Sequence, residues 1–204
     1  MRHVRIGVLA IAAAAFGFLD ARATTQAGEP DAAQVADVRA LERVGGFVTP
    51  GGRFIPPGIV VNIEGGKATD DDLIHLRSFK SMRVLVLDGT NISDAGLVYL
   101  KALTSLNVLS LENTRVTGFA DLKELRSLRS VDLKGSPVSD AGLAHLSELT
   151  GLRELDLTGT QVTDAGLVHV EKMKHLRKLT LAETKISAQG IKRLRRALPW
   201  CRIR

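Results

Sequence analysis

The sequence is poor in the residues that commonly staple or rigidify small folds. Among its 204 residues Cys201 is the only cysteine, so no disulfide can form within the chain and stability has to come from packing. Aromatic residues make up 4%, too few for the stacking platforms on which single-stranded nucleic-acid binding often depends. Hydrophobic residues reach 45%, which is enough for a sizeable core, so disorder is not expected for most of the chain.

Catalytic and metal-binding motifs are also missing. The sequence contains no glycine-rich phosphate loop, no His-Glu-x-x-His, no Gly-x-Ser-x-Gly and no cysteine pair. A nucleophile and a general base at a workable spacing are not evident either. We therefore expect a protein that binds a partner rather than an enzyme, with no cofactor and no bound metal.

No apolar run is long enough to span a membrane. The run at 6–19 has 14 residues, whereas a membrane-spanning helix needs about 20. Arg2 and Arg5 precede it and small residues follow it, a pattern typical of a secretory signal peptide over residues 1–23. We predict cleavage near Ala23, a flexible leader over 24–30, and an exported protein that is periplasmic or extracellular. The alternative is a protein tethered by an uncleaved N-terminal segment.

What the sequence does contain is a repeat. The segment GTNISDAGLVYL at 89–100 returns almost unchanged as GTQVTDAGLVHV at 159–170. Alignment outward from this pair gives six successive units, five of 24 residues and one of 22, which span 59–82, 83–106, 107–128, 129–152, 153–176 and 177–200. A fixed period of this length is typical of a solenoid, in which each unit packs only on its neighbours.

Within each unit the spacing of the apolar residues changes. Leu155 and Leu157 alternate with polar neighbours, which predicts a short strand with one buried face. Leu97, Leu100 and Leu103 then recur every three residues, which we interpret as the inward stripe of a helix. A Ser or Thr followed by Asp lies between the two segments and suits a helix N-cap with a first-turn carboxylate. In the 22-residue unit the helix is expected to tighten to a 3₁₀ turn or to irregular backbone.

These units resemble the leucine-rich repeat family. Its signature, Leu-x-x-Leu-x-Leu-x-x-Asn-x-Leu, is matched by Leu152, Leu155, Leu157, Thr160 and Val162, and a hydroxyl residue takes the Asn position. The resemblance covers roughly 59–200. The units are similar to the 24-residue, ribonuclease-inhibitor-like or cysteine-containing-like type found in exported bacterial repeat proteins. It implies an α/β solenoid, or horseshoe, with a parallel concave sheet and convex helices.

Both ends of such a solenoid need a cover for their apolar faces. Residues 31–58 are predicted to form an N-terminal cap made of a helix and a hairpin. At the other end Trp200 and Ile203 are predicted to close the core, with 201–204 as the end of this cap. Cys201 is interpreted as a packed small residue rather than a reactive thiol.

The resemblance places the residues between the strand leucines on the concave surface. Six of these residues are acidic and two are basic, although the formal net charge of the chain is +6. Valines gather at the N-terminal end of this surface, where they are expected to form an exposed apolar patch. The predicted partner is a protein or peptide with a basic segment, bound by Val84, Val86, Asp88, Val108, Glu112, Asp132, Glu154 and Asp156.

Two further interpretations stay open at this point. The segment 192–204 carries six positive charges and no negative ones, which suits an anionic surface or nucleic acid, although export and the shortage of aromatics weigh against nucleic acid. His145 and His169 share a repeat position, and they and the acidic stretch 70–72 are candidate metal ligands. A solvated histidine ladder and a charged first helical turn are the simpler interpretations.

Overall fold

The computed structural model describes residues 32–50 and 58–204. The predicted signal peptide and leader lie outside the described residues. Within them the strands form one sheet in strict chain order from β1 to β8. The strands are β1 (Gly46–Pro50), β2 (Ile59–Ile63), β3 (Met82–Val86), β4 (Val108–Ser110), β5 (Ser130–Asp132), β6 (Glu154–Asp156), β7 (Lys178–Thr180) and β8 (Arg202–Ile203).

The repeat length sets the register of the sheet. From β2 onwards each strand runs parallel to the one before it, and β1 pairs with β2 in the antiparallel sense. Equivalent residues of successive units face one another, so that Val131 pairs with Leu155 and Leu155 with Leu179. The predicted solenoid with a parallel sheet is therefore confirmed.

Short helices return the chain from one strand to the next. An N-terminal helix, α1 (Ala32–Arg43), precedes the first strand. The others are η1 (Asp70–Ser78), η2 (Gly96–Leu100), η3 (Ala120–Leu122), α2 (Asp140–Leu146), η4 (Asp164–Gly166), α3 (Leu167–Val170) and α4 (Ala188–Ala197), where η denotes a 3₁₀-helix. Neighbouring helices pack on one another in chain order.

The helices of the first two units, η1 and η2, differ from the expected α-helical form. Leu97, Leu100 and Leu103 recur every three residues, which matches the three residues per turn of a 3₁₀-helix. In the last unit Leu194 and Leu198 are four residues apart, and α4 is a regular α-helix of ten residues. The 22-residue unit has only the three-residue η3, as expected from its length.

One apolar core lies between the sheet and the helices. It runs from Leu41 of α1 to Ile203 of β8 and takes in the inward residues of every strand. Leu133 and Leu157 are fully buried, and their equivalents form a continuous ladder along the solenoid. Burial of each such leucine contributes on the order of 1.5–3 kcal/mol.

The N-terminal end of the core is covered by α1. This helix packs on η1, and His75 Nδ1 lies 2.8 Å from Asp37 Oδ1 across the contact. His75, which aligns with His145 and His169 in the repeat, is thus a partner of the N-terminal helix rather than one rung of a solvated ladder.

The C-terminal end of the core is covered by the eighth strand, β8. Cys201 and Ile203 point into the core and are buried, whereas Arg202 is exposed. The same alternation turns Trp200 outward, and its side chain is 48% exposed. The prediction that Cys201 packs as a small residue holds, but the prediction that Trp200 closes the core is wrong.

Candidate functional site

Alternate strand residues point away from the core and form a second surface of the sheet, which we call the concave face. In-register pairing arranges them in two columns. The first column consists of Thr49, Val60, Val84, Val108, Ser130, Glu154, Lys178 and Arg202. The second column consists of Phe47, Asn62, Val86, Ser110, Asp132, Asp156 and Thr180. Beyond the strand ends, Asp88, Glu112 and Lys134 continue the same alternation.

The valines of this face form a cluster, but not an exposed one. Val84, Val86 and Val108 pack together, with Val60 beside them, and each of the three is at most 2% exposed. Side chains in register on parallel strands lie only about 4.8 Å apart, so branched residues in adjacent positions fill the space between them. The sequence-based expectation of an exposed apolar patch is therefore wrong.

The centre of the face is a groove lined by carboxylates. Asp132 and Asp156 face each other in register on β5 and β6, and Ser130, Glu154 and Lys178 line the same groove. Asp132 Oδ1 accepts a hydrogen bond of 3.0 Å from the Lys134 backbone N–H. Asp156 Oδ1 accepts two bonds from Thr158, of 2.9 Å and 2.6 Å. Among the described residues, no donor forms a hydrogen bond to the second oxygen of either carboxylate.

Two carboxylates of the face, those of Asp132 and Asp88, are held at an electrostatic cost. Burial raises the pKa of Asp132 to about 6, against the lowering effect of the Lys134 backbone hydrogen bond, and the charges of Asp156, Asp88 and Glu112 raise it further. Burial also raises the pKa of Asp88, although Ser110 and the Glu112 backbone donate hydrogen bonds to it. The ionised forms of Asp132 and Asp88 are thus less stable here than in water. A bound cation would stabilise these ionised forms.

The two lysines of the face do not neutralise its centre. Lys134 Nζ lies 2.8 Å from Glu112 Oε1, and Lys178 Nζ lies 3.5 Å from Glu154 Oε2. Each lysine is therefore paired with a glutamate of the preceding unit. Within 32–50 and 58–204, the carboxylates of Asp88, Asp132 and Asp156 have no cationic partner.

Three residues of the face were missed by sequence reasoning. Phe47 faces Asn62 across the antiparallel pair of β1 and β2 and is 61% exposed. Arg202 lies in register with Lys178, and Arg204 continues the alternation. The signal was present as an in-out alternation in GFVT and CRIR, but neither stretch belongs to a full repeat.

The basic segment 192–204 does not form one surface. Lys192, Arg195 and Arg196 are exposed on α4, on the helix side of the core, whereas Arg202 belongs to the concave face. Arg193 Nε is 2.5 Å from Glu171 Oε1 and is paired. The predicted anionic-surface or nucleic-acid site is thus divided between two sides of the molecule.

The candidate metal ligands have other surroundings. Asp70 accepts hydrogen bonds from Ser93, and Asp72 accepts two from Thr69. His145 and His169 have Nδ1 atoms that are buried without a hydrogen-bond partner. In the described ranges no three His, Cys, Asp or Glu side chains are grouped in a way that could hold a metal ion.

Comparison with known proteins supports a fold assignment. A family model described as Leucine Rich repeat matches residues 149–169. No curated protein sequence matches the chain. Over the same described ranges, no helix combines the length and the apolar character needed to cross a membrane.

Solved structures of bacterial proteins have the same architecture. A leucine-rich-repeat protein of Leptospira interrogans is 24% identical with a TM-score of 0.55, and the match covers 64% of this chain and 33% of that chain. Internalin C2 of Listeria monocytogenes is 19% identical with a TM-score of 0.56, covering 71% and 69% respectively. Internalin InlF of the same species is 20% identical with a TM-score of 0.52, covering 85% and 55%. The chain spans about a third of the length of the Leptospira protein, and at these identities the likeness is one of fold.

Proposed function

We propose that this chain, which has the leucine-rich-repeat fold, is an exported module that binds a basic segment of a protein or peptide on its concave face. Solenoids of this kind present an extended, regular surface rather than a deep reaction pocket. The proposal of export rests on the signal-peptide pattern of residues 1–23. The proposal for the binding face rests on its charge.

The observation that carries the proposal is the unneutralised pair of Asp132 and Asp156. Both are fixed on adjacent strands by backbone hydrogen bonds, so little side-chain freedom is lost when a ligand binds. Both aspartates line the same groove, and each keeps one carboxylate oxygen without a hydrogen-bond donor among the described residues. A guanidinium or ammonium group placed there gains charge-assisted hydrogen bonds and relieves the unfavourable burial of negative charge.

Loss of the central charges should slow association with a basic partner. The test variant combines Asp132→Asn, Glu154→Lys and Asp156→Lys, and uses Asn at position 132 because that side chain is only 7% exposed. We expect the association rate of a labelled arginine-rich peptide to fall by about tenfold or more at low ionic strength, since electrostatic steering is lost. Stopped-flow fluorescence measures this rate.

A control variant changes the same net charge elsewhere. Glu42→Gln, Asp71→Lys and Glu148→Lys alter exposed residues of the helix side and should leave the rate nearly unchanged at moderate salt, where separated surface charges are screened. If both variants slow binding equally, only net charge matters and the assignment of the concave face is wrong.

A further inference from the structure

The concave face changes in chemical character along the solenoid axis. Phe47 on β1 is an exposed aromatic, β5 and β6 carry the unpaired carboxylates, and β8 carries Arg202. Building on the proposed function, we propose that the partner is one extended peptide segment with three zones in matching spatial order. It carries an apolar side chain for Phe47, a basic block for Asp132 and Asp156, and an acidic block for Arg202 and Arg204.

The apolar zone is narrow and well defined. Val48 packs against the core, so the alternation of β1 directs Phe47 to the opposite side, and 61% of its surface is exposed. The neighbouring valines are already buried and provide a closed floor rather than a second anchor. A large exposed aromatic at the edge of a binding surface is a common anchor for an apolar partner group.

The basic zone of the peptide is fixed by the central groove. Asp132 and Asp156 each keep one carboxylate oxygen without a protein donor. Lys178, the cation in the same groove, is paired with Glu154 and so competes little for these two aspartates. One or two arginine or lysine side chains match this arrangement, because each aspartate offers a charged acceptor in a partly dry groove.

The acidic zone follows from the C-terminal strand. Arg202 stands beside Lys178 in the first column, and Arg204 lies two residues farther along the chain. Both arginines are exposed, and across the described residues neither forms an ion pair. Because a basic side chain placed here would be repelled, the peptide must change sign between β6 and β8.

Strand spacing sets the distance between zones. Adjacent strands lie about 4.8 Å apart, so the central groove is about 22 Å from β1 and β8 is about 34 Å from β1. An extended chain rises about 3.3 Å per residue. The apolar residue and the basic block should therefore be about six or seven residues apart, and the acidic block about three or four residues beyond.

Three synthetic peptides of about twelve residues test the order. The matched peptide carries the apolar, basic and acidic zones at these spacings, the swapped peptide exchanges the basic and acidic blocks, and the third replaces the apolar residue by Ser. Each is made in both chain directions, and its dissociation constant for the full chain is measured by fluorescence anisotropy at low salt. We expect the swapped peptide to bind at least about tenfold more weakly in the favoured direction, because like charges then face each other.

Protein variants assign each zone. Phe47→Ser should abolish the advantage of the apolar residue, whereas Ile74→Ser, which removes another exposed apolar side chain, on η1, should not. The double variant with Arg202→Glu and Arg204→Glu should lower the affinity for the matched peptide. It should also abolish the difference by which the swapped peptide binds more weakly. Urea unfolding of each variant checks that the fold is retained.

The outcomes separate this inference from the proposed function. If the matched and swapped peptides bind equally well and Asp156→Asn weakens both, the proposed order of zones is wrong. The proposed binding of a basic segment is then still supported. No detectable binding of any peptide overturns both. Preference for the matched peptide that is insensitive to Phe47→Ser and to the arginine changes also overturns the three-zone assignment.

Discussion

At the scale of single residues, the repeat is joined by an aspartate that reaches forward into the next unit. Asp140 Oδ1 accepts the Thr163 backbone N–H at 2.8 Å, and Asp140 Oδ2 accepts the Thr163 hydroxyl at 2.6 Å. Asp70, Asp94 and Asp164 do the same for Ser93, Thr117 and Ser187. We call this pair of bonds the aspartate latch.

The latch accounts for the spacing that recurs in the repeated motif Ser/Thr-Asp-Ala-Gly-Leu. The hydroxyl residue donates to the aspartate of the previous unit, and the aspartate serves the next unit. The glycine leaves room for the incoming carboxylate, because a Cβ on Gly166 would overlap Asp140 Oδ1. The 22-residue unit has Gly118 in place of the aspartate. Ser139, the hydroxyl residue of the next unit, consequently has no aspartate to which it can donate.

Removal of one latch should destabilise the chain. We expect Asp140→Ala to lower the free energy of unfolding by about 1–3 kcal/mol, because the Thr163 N–H and hydroxyl lose their acceptor. Chemical denaturation with urea measures this loss. Asp71→Ala is the control, since Asp71 is exposed and makes no latch. An equal effect of the two substitutions would show that the latch adds nothing beyond local helix propensity.

The buried Asp132 should make stability depend on pH in an unusual direction. Its folded pKa is raised from 3.8 to about 6, so between these values the folded state holds the proton more tightly than the unfolded state. Its contribution to stability therefore improves as the pH falls from 7 to about 4. We expect Asp132→Asn to stabilise the protein at pH 7, by about 1–3 kcal/mol, and to remove this part of the pH dependence.

Urea unfolding at pH 4, 5, 6 and 7 measures the effect. Asp164 provides the opposite case, because hydrogen bonds from Ser187 lower its pKa and its contribution is lost only at still lower pH. If Asp132→Asn destabilises the chain at pH 7 and leaves the pH dependence of the free energy of unfolding unchanged, burial of the Asp132 carboxylate does not destabilise the fold.

Residue-level detail was only partly predictable from the sequence. The Ser/Thr-Asp pair was visible as a helix-capping pattern, but its forward hydrogen bonds depend on stacking that one unit cannot reveal. The hydroxyls at the Asn position have two kinds of partner that the signature alone does not distinguish. Thr90 and Thr160 donate to the carbonyl three residues earlier in their own units, whereas Ser136 donates to the Leu111 carbonyl of the previous unit.

At the scale of secondary structure, strands were easier to predict than helices. The period-two alternation located β2 to β7 because it recurs in every unit. The leucines spaced by three were interpreted as an α-helical stripe, although that spacing fits a 3₁₀-helix better. β8 was missed because Arg202–Ile203 has only two residues and the stretch around it lacks the signature of a full repeat.

The leucine ladder should carry most of the stability of these elements. We expect Leu157→Ala to cost about 2–5 kcal/mol, since its side chain is fully buried and neighbouring units cannot close the cavity. Val168→Ala, on the exposed side of α3, should change stability by less than about 0.5 kcal/mol. Urea denaturation of both variants tests the ladder. Similar values for the two would mean that the core is not the continuous structure described above.

At the scale of the whole molecule, the sign of the charge differs between the centre of the concave face and the C-terminal helix α4. The chain is basic in total, yet unpaired carboxylates occupy the centre of the concave face and exposed basic residues lie on α4. Such separation arises because each repeat position maps to one side of the sheet, so a residue choice repeated along the sequence becomes a column on the surface. The sequence was enough to place alternate strand residues on one face of the sheet, but not to show that its valines are buried.

The most direct test of the central claim is an NMR titration of the full chain with an arginine-rich peptide. We expect the backbone amide shifts that change on binding to concentrate on β5 and β6, at Ser130, Asp132, Glu154 and Asp156, and to saturate with a single affinity. The Asp156→Lys variant should lose these changes. Shifts confined to the helix side, or no shifts at millimolar peptide, would contradict binding on the concave face.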